Sequence, residues 1–140
     1  MADPLSITAS IIAVLTTCVA CTKGLRNIIE GIRDAPEELM VLSNEVQNLN
    51  AIIIESRNVY RSLAVNGSST SEFIESLQRL LKEAEDVLGA LKTLLSSYTL
   101  QGRKYQSVWW LCRKTRTNKY VLRLQNITKA MHMMFTTDNT

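Results

Sequence analysis

The sequence predicts an all-α fold: a helical bundle of four main helices, with a short extra helix near residues 105–113. Three observations lead there. Apolar residues recur in alternating steps of three and four along most of the chain, a period that only a helix places on one side. Chain breakers are scarce, with two prolines and five glycines in 140 residues, which disfavours a many-turned β fold. The length suits one domain with a buried core. Residues 1–136 are expected to form that domain, and the polar tail 137–140 to lead on into a longer protein.

The first helix has a defined start. Asp3 suits the N-cap, and Pro4 suits the first helical position, where its missing N–H has no partner to lose. Its seam runs Ile7, Ile11, Val14, Cys18, Cys21, Leu25, Ile28 and Ile32, a heptad pattern. Ala35-Pro36 ends it, because a residue before proline is pushed out of the α region. A second helix starts at Pro36, with Glu37 and Glu38 meeting the positive end of the helix dipole. Its seam is Leu39, Leu42, Val46, Leu49, Ile53, Ser56, Tyr60 and Leu63.

Asn66 to Thr70 reads as a turn, and Ser69 with Glu72 forms a capping box for a third helix. That helix presents Ile74, Leu77, Leu81, Ala84, Leu88, Leu91, Leu95 and Tyr98 on a narrow seam. A connection centred on Gly102 follows. Tyr105 to Arg113 is expected as the short extra helix, carrying Trp109 and Trp110, with the polar stretch Lys114 to Asn118 interrupting it. A last helix from about Lys119 presents Tyr120, Leu124, Ile127, Met131 and Met134. Short connections let such helices close a near-parallel bundle.

Little in the sequence supports catalysis. The one histidine, His132, lies in an apolar run, and there is no glycine-rich phosphate loop or nucleophile elbow. Cys18 and Cys21 match Cys-x-x-Cys, but both fall on the seam, where free cysteine acts as a small hydrophobe. A zinc site needs four ligands, and only Cys112 and His132 remain to complete one. The expectation is a non-enzyme with no metal and no cofactor. The odd cysteine count fits a reducing, intracellular setting. The apolar start lacks the positive n-region of a secretory signal, since its first charge is Asp3.

Two features point outward. From Pro4 to Thr22 no residue is charged, a stretch of 19. As a helix it spans about 28 Å, close to the ~30 Å hydrocarbon core of a bilayer. Its Ser, Thr and Ala content suits close helix packing. It reads either as a core helix of a soluble bundle or as a helix able to leave that bundle for a membrane; composition alone favours the first. Charge asymmetry is the second feature. Residues 1–100 carry eight basic and twelve acidic residues, whereas residues 101–140 carry eight basic residues and Asp138 alone. Arg113, Lys114, Arg116 and Lys119 lie there with Trp109 and Trp110. Cations with interfacial aromatics suit an anionic membrane surface. They also suit single-stranded nucleic acid, ranked below lipid because no nucleic-acid-reading motif is present. The plainer reading of the block is a solvated basic face, with at least one tryptophan in the core.

The opening Met1-Ala2-Asp3-Pro4-Leu5-Ser6-Ile7-Thr8-Ala9-Ser10-Ile11-Ile12-Ala13-Val14 closely resembles the start of the HeLo-like domains of filamentous fungi. These stand at the N-termini of fungal NLR-type (STAND) receptors and of related cell-death execution proteins. The resemblance covers most of the chain. It is strongest over residues 1–35, fair over the next two seams and looser over the Trp-basic segment. It implies a helical bundle held inactive until an NLR-type receptor or amyloid-signalling segment clusters copies by self-association. The first helix then acts on the plasma membrane, as in heterokaryon incompatibility and other regulated cell death, and the protein moves there from the cytoplasm. Carried over by position, the inserting element is Leu5 to Cys21, with Leu5, Ile7, Ile11, Ile12, Val14, Leu15, Cys18 and Val19 as its membrane-inserting residues. From the basic block itself, not from the resemblance, the expected contacts to anionic lipid are Arg113, Lys114, Arg116, Lys119, Trp109 and Trp110, and no nucleic-acid partner is expected. The alternative is a non-lytic adaptor or oligomerisation module of an NLR-like receptor.

Overall fold

The computed structural model describes residues 4–31, 37–67, 71–101 and 106–138, with side chains at those positions except 4–5, 64, 66, 97–101, 106–114 and 137–138. Four helices make up the molecule: α1 (Pro4–Gly31), α2 (Glu37–Asn66), α3 (Ser71–Gln101) and α4 (Gln106–Asp138). No strand occurs among the described residues. The fold is the all-α bundle that the periodicity predicts.

α1 opens on Pro4 and runs unbroken through Gly24 to Gly31. An interior glycine costs a helix ~1 kcal/mol relative to alanine. Here its missing side chain serves packing, because a Cβ on Gly24 would lie 3.2 Å from Leu95 Cδ1 of α3. The α1 seam is buried from Ile7 to Ile28. On α2 the predicted seam is buried from Leu39 to Tyr60 and half-buried at Leu63. Its one polar member, Ser56, donates its hydroxyl to the Ile53 carbonyl at 2.6 Å, so that buried hydroxyl is paired. α2 ends on Gly67, whose φ of +65° is the left-handed conformation that closes many helix C-termini. Asp3, Ile32, Ala35, Pro36, Ser69, Gly102 and Tyr105, all used in the sequence reading, lie outside the described residues.

Two expectations need correction. The apolar face of α3 is broader than a narrow seam: Phe73, Leu80, Val87 and Leu94 are buried beside the predicted positions. Like the other helices, α3 packs against two neighbours, and its sequence carries large apolar residues beside the seam to bury there. The extra helix near residues 105–113 is not a separate element either, because α4 is continuous from Gln106 to Asp138. Lys114 to Asn118 contains no proline or glycine, so its polarity interrupts the apolar pattern without breaking the backbone. Thr117 is buried and continues the seam of Leu124, Ile127, Met131 and Phe135.

The packing partners fix the arrangement. α1 packs against α2 and α3, and α4 packs against the same two, so α1 and α4 occupy opposite corners, as do α2 and α3. Chain direction alternates from helix to helix. Phe73 near the start of α3 meets Phe135 near the end of α4, ring centroids 6.3 Å apart. Gln125 donates to Glu45 at 3.2 Å across the parallel α2–α4 pair. The Cys21 thiol donates to the Leu88 carbonyl at 3.5 Å across the parallel α1–α3 pair. One core runs through all four helices.

Candidate functional site

The heptad seam of α1 sends Ile7, Ile11, Val14 and Cys18 into the core. Leu15 lies half-buried on the shoulder of the helix. Ile12 and Val19, seven residues apart and thus on one line, face outward at 57% and 52% exposure. Leu5 lies in α1 with its side chain outside the described positions. The proposed inserting residues therefore do not form one surface; about half of them are core.

The outward face of α1 is unusual in what it lacks. From Ser6 to Val19 its exposed residues are Ser6, Thr8, Ala9, Ile12, Thr16 and Val19. Charge begins only at Lys23, Arg26 and Glu30. The exposed faces of the neighbours are charged: Glu55 and Arg61 on α2, and Glu72, Glu75, Arg79, Lys82, Glu83, Asp86 and Lys92 on α3. A helix that only buries its seam has no need of an uncharged outer face. Three hydroxyls of α1 are also paired within the helix. Thr16 donates to the Ile12 carbonyl at 2.8 Å, Thr17 to Ala13 at 2.9 Å and Thr22 to Cys18 at 2.8 Å. A hydroxyl whose donor is already bonded costs less to move into an apolar medium than a free one. By length and composition, Ser6–Gly31 is long and apolar enough to cross a membrane.

The Cys-x-x-Cys pair is not poised for chemistry. Cys18 and Cys21 are free thiols buried on the seam. Burial pushes the Cys18 thiol up to about 12, with Cys21 adding to the rise. Burial pushes Cys21 up to about 11, against a lowering by Lys92. Reactive cysteines need the opposite shift. Native protein at about pH 8 should leave the peptide carrying Cys18 and Cys21 unlabelled by iodoacetamide while urea-unfolded protein labels fully; mass mapping reads the difference. Rapid native labelling would mean that α1 opens spontaneously in water. Because both values are raised, the fold holds the neutral thiols. Their stabilising effect is complete below the ordinary value of 9.0 and is lost as pH rises through about 11 to 12. The urea midpoint should accordingly fall as pH climbs above about 9.

The basic segment lies on α4. Arg116 and Lys119 are exposed, and with Arg123 they follow steps of three and four along one flank. The side chains of Trp109, Trp110, Arg113 and Lys114 lie outside the described positions. Since α1 and α4 occupy opposite corners, the fold does not bring this flank to the uncharged face of α1. The sequence reading missed two cations that do neighbour α1. Arg57 and Arg61, one helical turn apart on α2, border a cavity of about 440 Å³ together with Thr8, Ile11 and Ile12 of α1. Their spacing was visible, but their place beside α1 depends on antiparallel register.

No curated protein and no solved structure matches the chain. Residues 2–66, which hold α1 and α2, match the model of a family described as pigment biosynthesis cluster protein PigL N-terminal.

Proposed function

We propose that this domain is a membrane-acting effector of the HeLo-like, cell-death kind, and that it works without catalysis. In this reading it folds as a bundle in the cytoplasm. Clustering of copies, driven by an NLR-type or amyloid-signalling segment, releases α1 to the plasma membrane. The observation that carries the reading is the uncharged outer face of α1 from Ser6 to Val19, on which the exposed Thr16 bonds its hydroxyl inside the helix. That face joins an apolar core seam, so the first half of α1 is uncharged on every side. The match of residues 2–66 to an N-terminal family model is consistent with a HeLo-like domain.

Release has a definite energetic cost. Ile7, Ile11, Val14, Leu25 and Ile28 are all buried, and exposing five such side chains costs roughly 10 kcal/mol. That is comparable to the whole stability of a typical domain. α1 therefore leaves only when a bilayer or another copy receives it, which is why the reading requires clustering. Arg116, Lys119 and Arg123 on α4 would hold the domain to anionic lipid, each contributing about 1 kcal/mol near the surface.

Dye release from vesicles with and without anionic lipid, using the domain alone and artificially clustered, tests the proposal. Leakage is expected from the clustered form on anionic vesicles and is expected to vanish when residues 1–22 are deleted. A folded, clustered domain that leaks no dye would transfer the case to the adaptor reading. One observation favours that alternative: Met40, Val41 and Leu122 are exposed, and the latter two border a cleft between α2 and α4.

A further inference from the structure

The cavity between the first half of α1 and the last half of α2 has properties that the effector reading does not use. Its walls are Thr8, Ile11 and Ile12 of α1 and Tyr60 and Val65 of α2, with Arg57 and Arg61 as its cations. The volume, about 440 Å³, lies in the range of small-ligand sites. Val65 is 85% exposed and Ile12 57%, so apolar surface continues from the floor to the mouth. Nε of Arg57 is buried and has no hydrogen-bond acceptor among the described residues. Arg57 is half-buried and borders the cavity, so an anion there would meet its positive charge in a partly desolvated setting, where a charge-assisted contact is strong. Arg61, one turn on and exposed, adds a second cation at the same end.

We propose that this groove binds a single-chain anionic lipid, its phosphate or carboxylate held by Arg57 and Arg61 and its alkyl chain lying along Ile11, Ile12, Tyr60 and Val65. Charge complementarity selects the sign of the head group. The paired arginines suit an oxyanion better than a lone lysine would, because a guanidinium donates through a planar fork. Shape selects one chain over a bilayer, since the site is a cleft about 12 Å long from Arg57 to Val65, not a flat basic face. The ligand would bridge α1 and α2 and brace the bundle in its closed form. This goes beyond the effector reading, because it requires neither helix release nor a membrane.

Calorimetric titration of the full chain with dodecyl phosphate, kept below its micelle-forming concentration, tests the site. Inorganic phosphate and dodecyltrimethylammonium are titrated in parallel. Saturable one-to-one binding of dodecyl phosphate is expected. It should weaken by about tenfold or more in Arg57→Gln and Arg61→Gln, as loss of a charge-assisted bond requires. Val65→Asp, at an exposed position that leaves the core intact, should weaken it similarly. Lys82→Gln, at an exposed site on α3, should not. Four results would each overturn the proposal: no saturable binding by folded protein, equal binding of the cationic amphiphile, equal binding of inorganic phosphate, or unchanged binding in all three groove variants. Dodecyl phosphate binding by a domain that leaks no dye would keep the groove and remove the effector reading; leakage without binding would do the reverse.

Discussion

The Gly24→Cys, Leu95→Cys double variant is expected to lose all vesicle leakage once oxidised and to regain it on reduction. A Cβ on Gly24 lies 3.5 Å from the Leu95 Cβ, at the short end of the ~3.5–4.5 Å that a disulfide spans. The bridge would tie α1 to α3 with no change to the outer face of α1. In the chain-entropy account, closing this loop contributes about 4 kcal/mol of stability. Truncating a buried leucine costs a similar amount, roughly 2–5 kcal/mol. The two nearly offset, so the bridged variant matches the parent in stability, and comparing its leakage with the parent's isolates motion from stability. Non-reducing mass analysis must first place the bridge between residues 24 and 95, given the native cysteines Cys18, Cys21 and Cys112. Equal leakage by the bridged and reduced forms would mean that α1 acts without leaving α3, or does not act at all.

Thr16→Lys should be nearly silent in folding and severe on membranes. Thr16 is exposed, and its hydroxyl bonds only within its own helix. Surface substitutions of this kind usually shift stability by less than about 0.5 kcal/mol. A lysine near the middle of an inserted helix costs about 2.5–3.5 kcal/mol, which is roughly a hundredfold in the inserted population. Thermal melts of the two proteins should therefore overlay while the protein concentration needed for leakage rises about a hundredfold. Thr17→Lys gives a poorer test because Thr17 is half-buried, so a loss there mixes folding with insertion. Thr16→Ser keeps the i−4 hydroxyl bond and should behave as the parent. Undiminished leakage by a folded Thr16→Lys protein would exclude insertion through this segment.

How far the sequence was legible follows from what each helix touches. The α1 and α2 seams could be read directly, because a regular heptad marked them from Ile7 to Ile28 and from Leu39 to Tyr60. The breadth of α3 could not, because Phe73, Leu80, Val87 and Leu94 lie off its heptad seam, and only the phase of the helix between its neighbours shows that they are buried. α4 was divided because Thr117 was read as polar, whereas a β-branched hydroxyl residue fits a seam when its surroundings close over it. At the candidate site, the lack of charge from Pro4 to Thr22 was legible from composition. Its division into a buried half and an outward half needed the helix phase relative to α2 and α3. Arg57 and Arg61 were ordinary surface arginines until antiparallel pairing set them against Thr8 and Ile12.

The diagonal placement of α2 and α3 has a consequence for assembly. Among the described residues these two helices are held together mainly through α1 on one side and α4 on the other. Withdrawing α1 would leave a trough with α2 and α3 as walls and α4 as floor, shaped to the dimensions of one helix. A released copy would then carry both a helix and a matching receptor for a helix. If each copy seats the next one's α1, the contact is heterologous, and its repeat angle decides between a closed ring and an open filament.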